Sequence, residues 1–127
     1  MAGYSDSELI DKLGYKPGAT IMTVDAPESF LAYLKGTDVV RTGNLPADWA
    51  HGFFTDLARL KKFLETLEFE KVKLGLWVSW PKKASGVVSQ VNEQTFRDLI
   101  LPLDWVDTKV CAIDETWSGL KFLRRRN

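Results

Sequence analysis

The sequence predicts an α/β fold: a mostly parallel sheet of about five to six strands with helices on both faces. Three observations lead there. Short β-branched runs alternate with amphipathic helical stretches along the chain. The run "LGLWVSW" (74–80) is apolar at both parities, as a strand covered on each face must be. The last two strand-like runs, "TKVCAID" (108–114) and "LKFLRR" (120–125), are separated only by "ETWSG", which is too short for a crossover and suits an antiparallel hairpin. With 127 residues, one domain spanning 1–127 is expected, large enough for its own core.

Each element has a local reason. "SDSELIDKLG" opens with Ser5 and Glu8 at capping-box spacing, carries Leu9, Ile10 and Leu13 as an apolar stripe, and stops at Gly14. "YKPG" turns the chain into the β-branched run "ATIMTVDA" (19–26). "PESFLAYLKG" (27–36) follows as a helix, with Pro27 in its first turn, Phe30, Leu31 and Leu34 facing inward, and Asp25 as its expected cap. "DVVRTG" (38–43) is a weak strand and a free edge, closed by "NLPA". In "DWAHGFF" (48–54), Trp49, His51 and Phe53 share one side, and Ala50, Gly52 and Phe54 the other. The longest helix, "TDLARLKKFLETLEF" (55–69), is capped by Thr55 or Asp56 and buries Leu57, Leu60, Leu64 and Leu67. "NEQTFRDLIL" (92–101) is a helix ended by Pro102.

Composition narrows the function classes. Lysine plus arginine equals aspartate plus glutamate at 17 each, so no overall field steers the molecule to nucleic acid or an anionic membrane. No apolar run approaches a membrane span. The opening "MAGYSDSELIDKLG" has early acids where a signal peptide has basic then apolar residues, and a cytoplasmic setting is expected. A single cysteine, Cys111, and a single histidine, His51, give no disulfide and no defensible metal-ligand spacing. No metal is expected.

Right-handed crossovers place every strand-to-helix loop of such a sheet at its carboxyl edge, the usual place for ligands. Four segments should converge there: 25–28, 53–55, 79–83 and 114–118. The candidate ligand-binding residues are Trp80, Lys82, Lys83, Glu115, Thr116, Trp117 and Ser118. The lysines suit a phosphate or carboxylate, and an exposed tryptophan can stack on a planar ring. The plainer alternatives are solvated lysines, a Trp80 buried under the next helix, and a turn built by Thr116 to Ser118 with Gly119 at positive φ. Asp114 or Glu115 could pair with Lys82 across the edge. His51 reads as a packed, hydrogen-bonded core histidine with no serine partner implied, and Cys111 as a small core residue of an inner strand. No catalytic set is visible.

"LWVSWPKKASGV" (76–87), followed by "TFRDLILPLDWVDTKVCAIDETWSGLKF" (95–122), resembles a family of short bacterial proteins of unknown function. "LGYKPGATIMTVDAPESF" (13–30) is similar to that family's opening. The resemblance brings no activity. The order of elements also resembles a Rossmann-like methyltransferase, most closely in the closing hairpin. Such enzymes have a glycine-rich turn after the first strand. Here the turn is "VDAPESF", and no acid ends "DVVRTG" to hold a ribose. These departures argue against adenosylmethionine or a dinucleotide, and no cofactor is expected.

The leading expectation is therefore a non-catalytic, regulatory Rossmann-like module that binds an unidentified small molecule or protein at its carboxyl edge, as a monomer or weak dimer. The alternative is a small enzyme or nucleotide/anion binder using Lys82 with Trp80 and Trp117. Nucleic-acid binding through Lys82, Lys83 and Arg124 to Arg126 is the third reading, disfavoured by the zero net charge.

Overall fold

A computed structural model describes residues 6–125, with side chains from Leu9 onward. The Ser5–Glu8 capping box and Arg126 lie outside the described residues. In chain order the elements are α1 (Asp6–Leu13), β1 (Thr20–Val24), α2 (Glu28–Lys35), β2 (Val40–Thr42), β3 (Ala47–Phe53), α3 (Leu57–Thr66), β4 (Val72–Pro81), α4 (Glu93–Ile100), β5 (Trp105–Ala112) and β6 (Trp117–Arg124). They form one six-stranded sheet in the order β2-β1-β3-β4-β6-β5. Neighbouring strands are parallel except for β6, which is antiparallel to both β4 and β5. The expected mostly parallel sheet with a closing hairpin is present.

The alternation along β3 and β4 builds two cores. On one face α1 and α2 bring Leu9, Leu13, Phe30 and Leu34 onto Ile21, Trp49, Phe53 and Trp77. On the other, α3 and α4 bring Leu60, Phe63, Phe96 and Ile100 onto Ala50, Phe54, Leu76, Val78 and Trp80. The helix ends are satisfied locally. Asp56 accepts from the Arg59 amide at 3.1 Å at the start of α3, and Asn92 with Thr95 makes a reciprocal capping box for α4. At the end of α1, the Trp77 indole donates to the Leu13 carbonyl at 2.9 Å and the Lys109 ammonium to the Lys12 carbonyl at 3.2 Å. Lysine there complements the helix dipole as well as filling an orphan carbonyl.

Three local expectations need correction. Trp117 and Ser118 begin β6, paired with Pro81 and Trp80, and do not form the turn. The turn is built instead by Asp114, whose Oδ1 accepts from the amides of Thr116 at 2.8 Å and Trp117 at 2.7 Å. Gly119 is an in-register strand residue and is not among the positive-φ glycines. Its missing side chain makes room, because a Cβ would sit 3.0 Å from the Trp77 ring. Finally, Cys111 belongs to the edge strand β5, yet it is buried under the α1 face, and that burial raises its pKa.

One connection is unusually short. The chain leaves β2 and re-enters at β3 through Gly43–Pro46, crossing β1 in four residues without a helix. Leu45 of this link packs against the α3-side core.

Candidate functional site

All the parallel strands end at one edge. The strand order decides where on that edge a crevice opens. From β1 the chain goes outward to β2 on one side, then returns to β3 on the other, so the order reverses between β1 and β3. In open α/β sheets the ligand crevice lies outside the carboxyl ends at such a reversal, because the flanking crossovers diverge there.

Asp25 follows β1 at this point with φ +55, a left-handed bend uncommon for a residue other than glycine. Its carboxylate does not cap α2; that helix has no side-chain cap. Instead it accepts from Arg59 of α3, Nε to Oδ2 at 2.8 Å and Nη2 to Oδ1 at 3.3 Å. The hydrogen bond that Arg59 donates to Asp25 holds the guanidinium above its ordinary pKa. Arg59 also borders a cavity of about 300 Å3 on the α3 face of β1, which Met22, Val24, Asn44 and Leu45 line and which runs along α3 to Leu67 and Glu68 past its end.

The residues singled out in the sequence fall two strands away, at the ends of β4 and the β5–β6 turn. Lys82 meets that turn twice. Its amide donates to the Thr116 carbonyl at 2.7 Å, and its ammonium donates to the Asp114 carbonyl, also at 2.7 Å. The expected ion pair is absent, since Asp114 spends its carboxylate on the turn. A hollow of about 240 Å3 is lined by Lys82, Glu115, Asp114 and Lys12 among others. Trp117 is half-buried with its ring edge-on to Phe53 at 5.2 Å. Trp80 is only 7% exposed and packs on Phe96 of α4, so its ring is not offered to a ligand. Lys83 and Glu115 are exposed, and Thr116 and Ser118 half-buried. The structure therefore gathers Lys82, Glu115, Thr116 and Trp117, and sends Trp80 under a helix. Arg124 is at the opposite, amino edge, over the Trp105 ring and donating to the Phe69 carbonyl, so it shares no patch with Lys82.

Below the crevice a polar chain crosses the α1-side core. The Tyr15 hydroxyl is 2.9 Å from His51 Nδ1, and His51 Nε2 is 2.8 Å from Ser79 Oγ. Sequence reasoning missed the serine because parallel pairing, not sequence proximity, brings β4 beside β3. The ring lies fully buried against Phe53 and Phe30. Desolvation lowers its pKa to about 3.

A larger cavity, about 570 Å3, lies at the amino edge between α1 and the end of α2, bordered by Ile10, Tyr15 and Tyr33. It is remote from the strand ends where the fold gathers polar groups. Among the described residues no group of three histidine, cysteine or acidic side chains could hold a metal, and no helix is long and apolar enough to cross a membrane.

No protein-family profile matches the chain, and no curated protein matches it in sequence. Solved structures do match in fold. A protein described as a type 11 methyltransferase from Sulfolobus solfataricus superposes with a TM-score of 0.65 at 10% identity, over 100% of this chain and 95% of the other. A SAM-dependent methyltransferase from Aquifex aeolicus gives 0.59 at 14% identity, over 94% and 89%. Magnesium protoporphyrin IX methyltransferase from Synechocystis PCC 6803, solved with bound SAM, gives 0.50 at 10% identity, over 94% and 77%. The chain thus has the Rossmann-like methyltransferase fold. This corrects the leading expectation. The folds it matches are those of enzymes, two of them described with SAM, and not those of regulatory modules with an unidentified small-molecule or protein partner.

Proposed function

We propose that this protein binds adenosylmethionine in the crevice between β1 and β3 and acts as a small methyltransferase. The observation that carries the reading is the reversal of strand order between β1 and β3, beside which Arg59 links the left-handed turn at Asp25 to a cavity of about 300 Å3 on the α3 face of β1. The sequence argued against this ligand because the turn has no glycine. Asp25 meets one requirement of such a turn, a positive φ, while the close backbone approach that glycine allows is not supplied here. The cavity size is at the lower end of small-molecule sites, and Gly43 beside Asn44 leaves its rim open. The residues present fit the group in these respects, although β2 still supplies no acid for a ribose.

In this reading Val24, Leu45 and Met22 pack against the nucleoside and keep water from it, and the Asn44 amide offers a donor and an acceptor to its polar edge. Bound adenosylmethionine supplies an electrophilic methyl group. The methyl acceptor would approach from the β4 side, where Lys82, Lys83, Glu115, Thr116, Trp117 and Ser118 border the same edge.

Isothermal titration with S-adenosylhomocysteine tests the reading. Binding is expected in the wild type and lost in Gly43→Trp, where a side chain begins in open space and fills the rim. Absence of binding in the wild type, or equal binding in the variant, would overturn it.

A further inference from the structure

We propose that the cavity of about 570 Å3 at the amino edge is a binding site for an organic cation, an amine carried on a small apolar body. This site is separate from the crevice and does not depend on adenosylmethionine. Its volume lies within the range of small-molecule pockets and is nearly twice that of the cavity beside Arg59. The walls are apolar and aromatic: Ile10, Pro17 and Val39 with the rings of Tyr15 and Tyr33. Both rings are anchored through their hydroxyls. That of Tyr15 lies 2.9 Å from His51 Nδ1, and that of Tyr33 accepts from the Ile10 amide at 3.1 Å. The links that border the cavity are tied down as well. The Gly18 amide donates to the Asp38 carbonyl at 2.8 Å, and Thr37 Oγ1 donates to the Leu34 carbonyl at 2.6 Å, finishing α2. Walls held in this way need little ordering when a ligand enters.

Charge around the cavity selects the sign of the ligand. Asp11 and Asp38 border it, and neither carboxylate is in an ion pair among the described residues. Among the described lining residues Lys16 alone is cationic, so two negative charges face one positive. The helices add to this. α1 leads into β1 and α2 into β2, so both point their carboxyl ends, with their partial negative charge, at the amino edge. Lys12 and Lys35, on the last turns of these helices, do not line the cavity. Helix stability does not account for Asp11, because an acid in the last turn opposes the helix dipole. A tyrosine ring offers its electron-rich face to a positive charge, so an ammonium seated here gains from the rings and the carboxylates together. An anion would meet two aspartates with only Lys16 to offset them.

Benzylamine, benzyl alcohol and benzoate share one apolar body and differ in charge, so together they test the assignment. Each is titrated into the isotope-labelled full chain and followed by amide NMR. The signals of Gly18, Gly36 and Val39 report this cavity, and those of Gly43 and Asn44 report the crevice. Benzylamine is expected to move the first set, to bind about tenfold more tightly than benzoate, and to weaken as salt is raised. Asp11→Asn and Asp38→Asn should each weaken benzylamine about threefold, the scale of one exposed charge pair, and leave benzyl alcohol unchanged. Both aspartates are exposed, so neither variant should melt below the wild type. Benzoate binding as tightly as benzylamine, or benzylamine binding equally to the wild type and both variants, would overturn the preference for a cation. Shifts confined to Gly43 and Asn44, or none with any of the three probes, would overturn the site itself.

Discussion

Acid should destabilise this protein through one ring. His51 is the sole histidine of the chain and is fully buried, flanked by Phe53 at 4.5 Å and Phe30 at 4.9 Å between ring centroids. Both its nitrogens are satisfied while it is neutral, one accepting and one donating, by the hydroxyls of Tyr15 and Ser79. Its pKa falls from 6.5 to about 3 on folding. Above pH 6.5 the ring is neutral in both states and contributes no pH dependence. As the pH falls below that, the unfolded chain takes up a proton that the folded chain refuses. Stability then declines by about 1.4 kcal/mol per pH unit until the folded pKa is reached. At pH 5 the loss is about 2 kcal/mol, a large share of the roughly 5–15 kcal/mol typical of a domain.

Two measurements check this. The imidazole carbon-bound proton signals are unambiguous with one histidine, and they should not titrate between pH 7.5 and 5 while the protein stays folded. Urea denaturation at the same two pH values should show the wild type losing about 2 kcal/mol more than His51→Gln, whose amide does not titrate. A ring that titrates near 6.5 in the folded protein, or equal pH slopes for the two proteins, would refute the reasoning.

Two other substitutions probe the packing and the site. In Gly52→Ala the new Cβ would lie 2.5 Å from the Phe54 ring, itself buried against Phe63 and Phe96, so a loss of about 1–3 kcal/mol by equilibrium denaturation is expected; Gly43→Ala, in open space, should be near neutral. Lys82→Met removes the ammonium that holds the Asp114 carbonyl, and should cost about 1–2 kcal/mol in stability while leaving S-adenosylhomocysteine affinity unchanged. Lost affinity there would move the cofactor site to the β4 end.

Much of the architecture was legible because it depends on local patterning. Alternation in "DWAHGFF" placed Trp49, His51 and Phe53 on one face and Ala50 and Phe54 on the other, as found. The same parity, read on through "LGLWVSW", puts Trp80 with Leu76 and Val78 under α4, so the signal for its burial was present and went unused. The site was harder. Asp25 read as a helix cap, since nothing nearby in sequence announces Arg59 as its partner thirty-four residues later. The Trp117–Ser118 segment read as a turn because glycine follows it. Its place in β6 is fixed by pairing with Pro81 and Trp80, a contact between distant segments.

The residues alone therefore specified which segments become helices and strands, which faces they bury, and that the chain closes with a hairpin. Hydrophobic period, capping and turn chemistry act over a few residues and leave their mark in the string. The order of the strands, the reversal between β1 and β3, the joining of Asp25 to Arg59 and the burial of His51 beside Ser79 came only with the assembled sheet. Strand neighbours are chosen by burial and hydrogen bonding summed over the whole sheet, so no short stretch of sequence encodes them.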